Sequence, residues 1–177
     1  MTLAAAESTL LLIDLQQRLM PSIAGAEAVV ANARRLAEAA RLLGVPVLAT
    51  EQNPAGLGGN VAEIAALSSR TLAKNFFDAT READFSGFLP AERPKIVVAG
   101  CETHVCVMQT VLGLLEQGRA VALVRDAVGS RSEANRDAAL ARAERHGAEL
   151  VTTEMVVFEW LQTSDHPRFR EALRLVK

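Results

Sequence analysis

The sequence predicts an α/β fold, a parallel sheet covered on both faces by helices. Three observations carry this reading. Short β-rich runs alternate with amphipathic helical patterns along the chain, as strand–helix–strand crossovers require. The runs Leu10–Ile13 and Ile96–Ala99 are continuously apolar rather than alternating, which suits strands buried on both faces. Helical stretches stop on a glycine, at Gly44, Gly118 and Gly147, where a residue free to take left-handed backbone ends a helix.

Leu10-Leu11-Leu12-Ile13 is the first strand. A helix runs from about Ala26 to Leu43, with Val29, Val30, Ala33, Leu36, Ala37, Ala40 and Leu43 at three- and four-residue spacing on one face. Pro46 leads into the second strand, Val47-Leu48-Ala49, and the Pro/Gly-rich stretch Gln52 to Gly59 reads as a loop. A weaker helix around Val61 to Ala66 precedes a short third run, Arg70-Thr71-Leu72-Ala73. Lys95 to Ala99 is the fourth strand, and its helix runs to Gln117. Ala120 to Val124 is the fifth strand, Ser132 opens a helix ending near His146, and Glu149 to Thr152 is a short sixth strand. Two helical pieces split by Asp165-His166-Pro167 close the chain. No repeat, low-complexity tract or further linker interrupts it, so one domain over 1–177 is expected.

Composition narrows the function classes. Half of the 177 residues are apolar and 23% are charged and interspersed, which argues for a packed core over disorder. The net charge is −2 with no basic block, so neither nucleic acid nor an anionic membrane is the expected partner. No apolar run is long enough to span a bilayer, and Met1 to Ser8 lacks the basic start and apolar stretch of a secretory signal. Two cysteines imply no disulfide framework, and a reducing cytoplasm is expected.

Ligands of open α/β sheets bind beyond the carboxyl ends of the strands, where strand order reverses. Three chemically loaded residues fall there: Asp14 after the first strand, Lys74 after the third and Cys106 just past the fourth. Cys106 lies near a predicted helix N-terminus, a setting that lowers a thiol pKa. A buried, inert cysteine fits the same spacing; an Asp there caps turns, and a Lys there is commonly solvated. Together, though, a carboxylate, an ammonium and a thiol make an activated nucleophile. Asp14 takes the thiol proton, Lys74 stabilises the thiolate, and backbone N–H groups hold a developing oxyanion.

Further segments sharpen the pattern. They are Leu12-Ile13-Asp14-Leu15-Gln16, Lys74-Asn75-Phe76-Phe77, Gly100-Cys101-Glu102-Thr103-His104-Val105-Cys106-Val107, Asp126-Ala127-Val128-Gly129-Ser130-Arg131, Gly147-Ala148 and Thr152-Thr153-Glu154. Over nearly its whole length the chain resembles the isochorismatase-like hydrolases, cysteine hydrolases that include nicotinamidase and N-carbamoylsarcosine amidohydrolase. The stretch Thr50 to Gly58 is similar to the isochorismatase domain-containing branch, whose physiological substrates are poorly defined. The resemblance implies a three-layer α/β/α Rossmann-like fold with six parallel strands ordered 3-2-1-4-5-6 and a catalytic triad of Asp14, Lys74 and Cys106. It also implies a cis peptide, placed at Cys101–Glu102, and a homo-oligomer, dimer or tetramer.

Two departures from the family pattern shape the expected chemistry. Metal-binding members carry an Asp and two His beyond strand two, where this chain has Thr50-Glu51-Gln52-Asn53, so no metal or other cofactor and little nicotinamidase activity are expected. Asp78 stands where a Ser often follows the Lys-x-x-Phe element, which would alter the pocket. Members that cleave isochorismate do not need a cysteine nucleophile, so Cys106 points to acyl transfer on a small amide-like or related substrate. The oxyanion would rest on backbone N–H groups of Glu102 and Cys106. Phe76, Phe77 and Val105 are expected pocket walls, and Gln16, Gln52 and His104 expected polar contacts. A zinc site on Cys101, His104 and Cys106 lacks a spaced fourth ligand, and the two cysteines do not form a C-x-x-C redox pair. Gly56-Leu57-Gly58-Gly59 lacks the Lys-Ser/Thr of a P-loop. A non-catalytic interaction domain on the same fold is the alternative of a different class.

Overall fold

The structure, a computed structural model, describes residues 2–177. Strand β1 (Ser8–Ile13) is buried along its whole length, as an unbroken apolar run between two layers must be. Five more strands join it: β2 (Val47–Gln52), β3 (Arg70–Lys74), β4 (Lys95–Cys101), β5 (Ala120–Gly129) and β6 (Glu149–Val151). They form one sheet ordered β3-β2-β1-β4-β5-β6, and every pairing is parallel. This is the α/β fold and strand order that the sequence implied. Chain direction along the sheet reverses between the neighbours β1 and β4, so the crevice expected to hold a ligand opens at their carboxyl ends.

Successive residues of a strand point to opposite faces, and β1 feeds two cores. Leu10 and Leu12 join Val29, Ala33, Leu36, Val97 and Trp160 in one layer, under helices α1 (Ala26–Leu42), α6 (Thr153–Leu161) and α7 (Phe169–Val176). Leu11 and Ile13 join Phe85, Val98, Cys106, Val111 and Leu140 in the other, under α4 (Met108–Glu116) and α5 (Glu133–Arg145). Each fully buried Leu or Ile contributes about 1.5–3 kcal/mol.

The structure departs from the sequence reading at element ends. The loop after β2 contains a short helix, α2 (Pro54–Leu57), ahead of α3 (Ala62–Leu67). Strand β5 continues past Val124 to Gly129; Arg125 and Asp126 are exposed, and the strand is buried again from Ala127. A register shift between Val98 and Gly100 lets Val128 and Gly129 pair with Gly100 and Cys101. Thr152 leaves β6 and caps α6, its Oγ1 accepting from the Met155 N–H at 3.3 Å. Two 3-10 turns, Ala79–Arg81 and Ala83–Gly87, fill the stretch before β4. Among the described residues no helix is long and apolar enough to cross a membrane.

Candidate active site

Three strand ends deliver the three candidate groups. Asp14 follows β1 directly with φ +49°, left-handed backbone that Asp tolerates better than most residues. Lys74 is the last residue of β3 and pairs in register with Gln52 of β2. Beyond β4 the Cys101–Glu102 peptide is cis, at the bond where the family resemblance placed it. Gly100 makes the approach possible. Its φ is +126°, and a Cβ there would stand 2.0 Å from the Ile13 carbonyl oxygen. No other residue lets β4 press so closely on the end of β1.

Cys106 lies near a helix N-terminus, as its spacing suggested, in the first turn of a helical run that continues into α4. It lies in a π-helical turn, Thr103–Val107, ahead of α4. The Glu102 carbonyl accepts from both the Val105 and Val107 N–H groups, at 3.1 and 3.2 Å, which widens the turn. The expected low thiol pKa, however, is corrected. Burial, and next the charge of Asp14, push the Cys106 thiol up to about 12, with Lys74 pulling in the opposite direction. Desolvation penalises the thiolate more than the ammonium favours it. At rest Cys106 is therefore a thiol.

The groups around it are tightly connected. Lys74 is almost fully buried, and its Nζ contacts Asp14 Oδ2 at 2.8 Å. The same ammonium donates to Gln52 Oε1 at 2.7 Å and to the Phe76 carbonyl at 3.3 Å, which uses its three donors. Asp14 Oδ1 accepts from the Thr50 hydroxyl at 2.6 Å. Cys106 Sγ, which faces both Asp14 and Lys74, donates to Gln52 Oε1 at 3.9 Å. Asp14, Lys74, Cys106 and Gln52 thus converge.

The other expected site residues divide. Gln16 was expected as a pocket contact, but it is fully buried and its amide is committed to backbone. It donates to the Gln52 and Gly58 carbonyls at 3.0 and 2.6 Å and accepts from the Gln52 N–H at 2.8 Å. Gln16 positions the end of β2, as a neighbouring strand would. His104 Nδ1 lies 3.0 Å from Ser130 Oγ and 4.0 Å from Glu102 Oε2, facing the loop after β5. Phe76 and Phe77 flank the Lys74 end of β3 with half-exposed rings, and the Arg81 guanidinium lies over Phe76, 5.0 Å from its centroid. Val105 is partly buried against the second core. Asp78 is not a pocket group. It caps its own turn by accepting from the Thr80 N–H and hydroxyl at 2.9 and 2.7 Å.

Two contributors escaped the sequence reading. Thr50 orients Asp14, and the signal that finds it is strand order, because β1 and β2 are neighbours and the Asp14 N–H donates to the Thr50 carbonyl at 3.3 Å. Arg131 binds the nearly buried Glu102 carboxylate through its Nε, at 3.0 and 3.1 Å, and through its backbone N–H at 3.1 Å. That clamp fastens the Thr103–Val107 turn to the loop after β5. Cys101 faces the first core layer, across the sheet from Cys106. Among the described residues no three His, Cys, Asp or Glu side chains group as a metal site.

Known proteins share this arrangement of elements. A family model described as the isochorismatase domain matches residues 8–155. Isochorismatase domain-containing protein 2A from Mus musculus is 38% identical over 170 residues, covering 96% of this chain and 82% of that one. The structure of MAR1 ribonuclease from Caenorhabditis elegans superposes with a TM-score of 0.93 at 33% identity, over 99% of this chain and 92% of that one. YcaC is similar in two structures. The Pseudomonas aeruginosa protein, with hexane-2,5-diol and covalent acrylamide, has a TM-score of 0.90 at 27% identity over 98% and 91% of the two chains. The Escherichia coli protein, described as an octameric hydrolase of unknown specificity, has a TM-score of 0.88 at 25% identity over 99% and 87%.

Proposed function

The chain belongs to the isochorismatase domain family, and on that premise we propose that it is a cysteine hydrolase acting on a small amide-like substrate. The observation that carries the reading is the convergence of the Cys106 thiol with the Lys74–Asp14 ion pair of 2.8 Å. A thiol held near 12 attacks only as its proton leaves, so attack and proton transfer are coupled. Asp14 takes that proton while Sγ bonds to the substrate carbonyl carbon. The oxyanion is assigned to the Glu102 and Cys106 backbone N–H groups. The C–N bond then breaks, Asp14 returns the proton to the leaving nitrogen, and an acyl thioester remains. Water, deprotonated by Asp14, cleaves the thioester, giving the acid and the thiol. Lys74 stabilises the sulfur anion by exchanging its longest bond, the 3.3 Å contact to Phe76, for the thiolate. Phe76, Phe77 and Val105 are assigned as pocket walls, Gln52 and His104 as polar contacts.

Covalent acrylamide in the Pseudomonas YcaC structure supports a centre that meets small electrophilic amides. The ribonuclease name of the worm relative is not carried over, because a net charge of −2 without a basic block offers no stripe to track a phosphate backbone. Acrylamide labelling followed by intact mass and peptide mapping tests the reading. Wild type and Cys101→Ala are expected to gain one adduct on Cys106, and Cys106→Ala none. Equal labelling of Cys106→Ala and wild type overturns it in favour of a non-catalytic domain.

The protein is further assigned as a homo-oligomer. Met155 and Phe158 are exposed by 46% and 37% on α6, and the E. coli YcaC relative is octameric. Light scattering is expected to give a multiple of the 18.9 kDa chain mass.

A further inference from the structure

We propose that Gln52 selects the leaving group, by presenting a fixed carbonyl acceptor to an N–H on the nitrogen that departs. The proposal rests on the cysteine-hydrolase reading above and adds to it which acyl derivatives the site accepts.

The Gln52 amide has one orientation. Its Nε2 donates to the Asn75 carbonyl at 2.8 Å and its Oε1 accepts from Lys74 Nζ at 2.7 Å. The opposite orientation would set an NH2 group against an ammonium and a carbonyl against a carbonyl. Its backbone is equally fixed, since Gln16 bonds both the Gln52 N–H and carbonyl, at 2.8 and 3.0 Å. One Oε1 lone pair therefore goes to Lys74, and the other faces Cys106 Sγ at 3.9 Å.

In the resting protein the thiol is the donor to that second lone pair. Once the thiol proton has moved to Asp14, the lone pair has lost its partner in a partly buried place, which is unfavourable unless the substrate replaces it. An amide nitrogen bonded to the attacked carbon arrives beside Sγ and carries the needed N–H. An ester oxygen in the same place carries none and sets lone pair against lone pair. Sites built to bond an N–H discriminate strongly against analogues without one. Formation of the S–C bond, loss of the C–N bond with the Asp14 proton, and hydrolysis of the thioester balance as before, with water as the co-reactant. The nitrogen leaves as ammonia or a simple amine.

The test compares matched pairs: acetamide with methyl acetate, propionamide with methyl propionate, and benzamide with methyl benzoate. Acid release gives kcat/KM for wild type, Gln52→Met and Gln52→Glu, with thermal unfolding to confirm folding. Gln52→Met is expected to lower the amide-to-ester ratio about ten- to a hundredfold. Gln52→Glu, which keeps an acceptor, retains most of the ratio. If Gln52 merely held Lys74, amide and ester rates would fall together, and an unchanged ratio in Gln52→Met overturns the proposal. Acrylamide labelling of Cys106 without hydrolysis of any pair overturns it as well, leaving the nucleophile in place. Failure of wild type to label overturns the underlying reading instead.

Discussion

Cys101 and Cys106 stand at the two ends of one backbone turn, on opposite faces of the sheet. Burial pushes both thiols up to about 12. Around Cys101 the packing is mostly hydrocarbon, where Ile23 and Val29 close on Gly129, and the Gly129 backbone is its hydrogen-bond partner. Around Cys106 they are a carboxylate, an ammonium and a fixed carbonyl. The difference teaches that acidity alone does not mark a nucleophile in this fold. In the proposed mechanism, what marks it is a partner placed to take the proton in the same step that the sulfur attacks.

The comparison breaks most sharply on pH. Iodoacetamide alkylation of Cys106 is expected to climb from pH 7 to 10 without levelling, because the thiolate fraction keeps rising below its pKa; a slope shallower than about tenfold per unit measures attack assisted by Asp14. A plateau near the ordinary value of 9.0 would show a thiol that its surroundings leave unperturbed. Stability follows with a definite sign. Folded-state values raised above those of the unfolded chain mean that the unfolded chain loses its protons first. The contribution of both thiols is complete below 9.0 and is lost as pH rises toward 12, measurable by urea unfolding across that range.

Lys74→Met is the next largest change. It leaves Asp14 buried without its counter-charge, and loss of one partner of a buried pair costs about 3–5 kcal/mol. Chemical denaturation checks this, and Asp14→Leu added to Lys74→Met should recover part of the loss. A smaller effect is expected of Thr50→Val, which keeps the shape and removes the donor to Asp14 Oδ1. A hydrogen bond to a charged group contributes about 1.5–3 kcal/mol. A cost below about 0.5 kcal/mol would show that Thr50 does not hold the carboxylate.

The end of β1 was legible because a strand buried on both faces is continuously apolar, so Asp14 stood out where that run stops; Lys74 follows the short, largely exposed run of β3, and Cys106 lies past the apolar run of β4. The strand order and triad came through the family resemblance. The full length of β5 was hidden because Arg125 and Asp126 interrupt the apolar run. Thr50 was hidden because its partner is adjacent only through the sheet. Gln16 was misread as a pocket contact because its clamp reaches 36 residues along the chain, beyond any local pattern. The thiol direction was misread because a helix-end argument presumes solvent, and desolvation here is the larger influence.

The buried thiol has one more consequence, in the life of the chain rather than in its chemistry. Before folding, Cys106 has the acidity of an ordinary cysteine, with a pKa of 9.0, and after folding it stands near 12. At neutral pH that removes about 1,000-fold of its thiolate. A newly made chain is thus more vulnerable to stray electrophiles and oxidants than the finished protein. Completion of the sheet withdraws the sulfur from general reactivity and, in the proposed function, reserves it for molecules that fit between Asp14, Lys74 and Gln52.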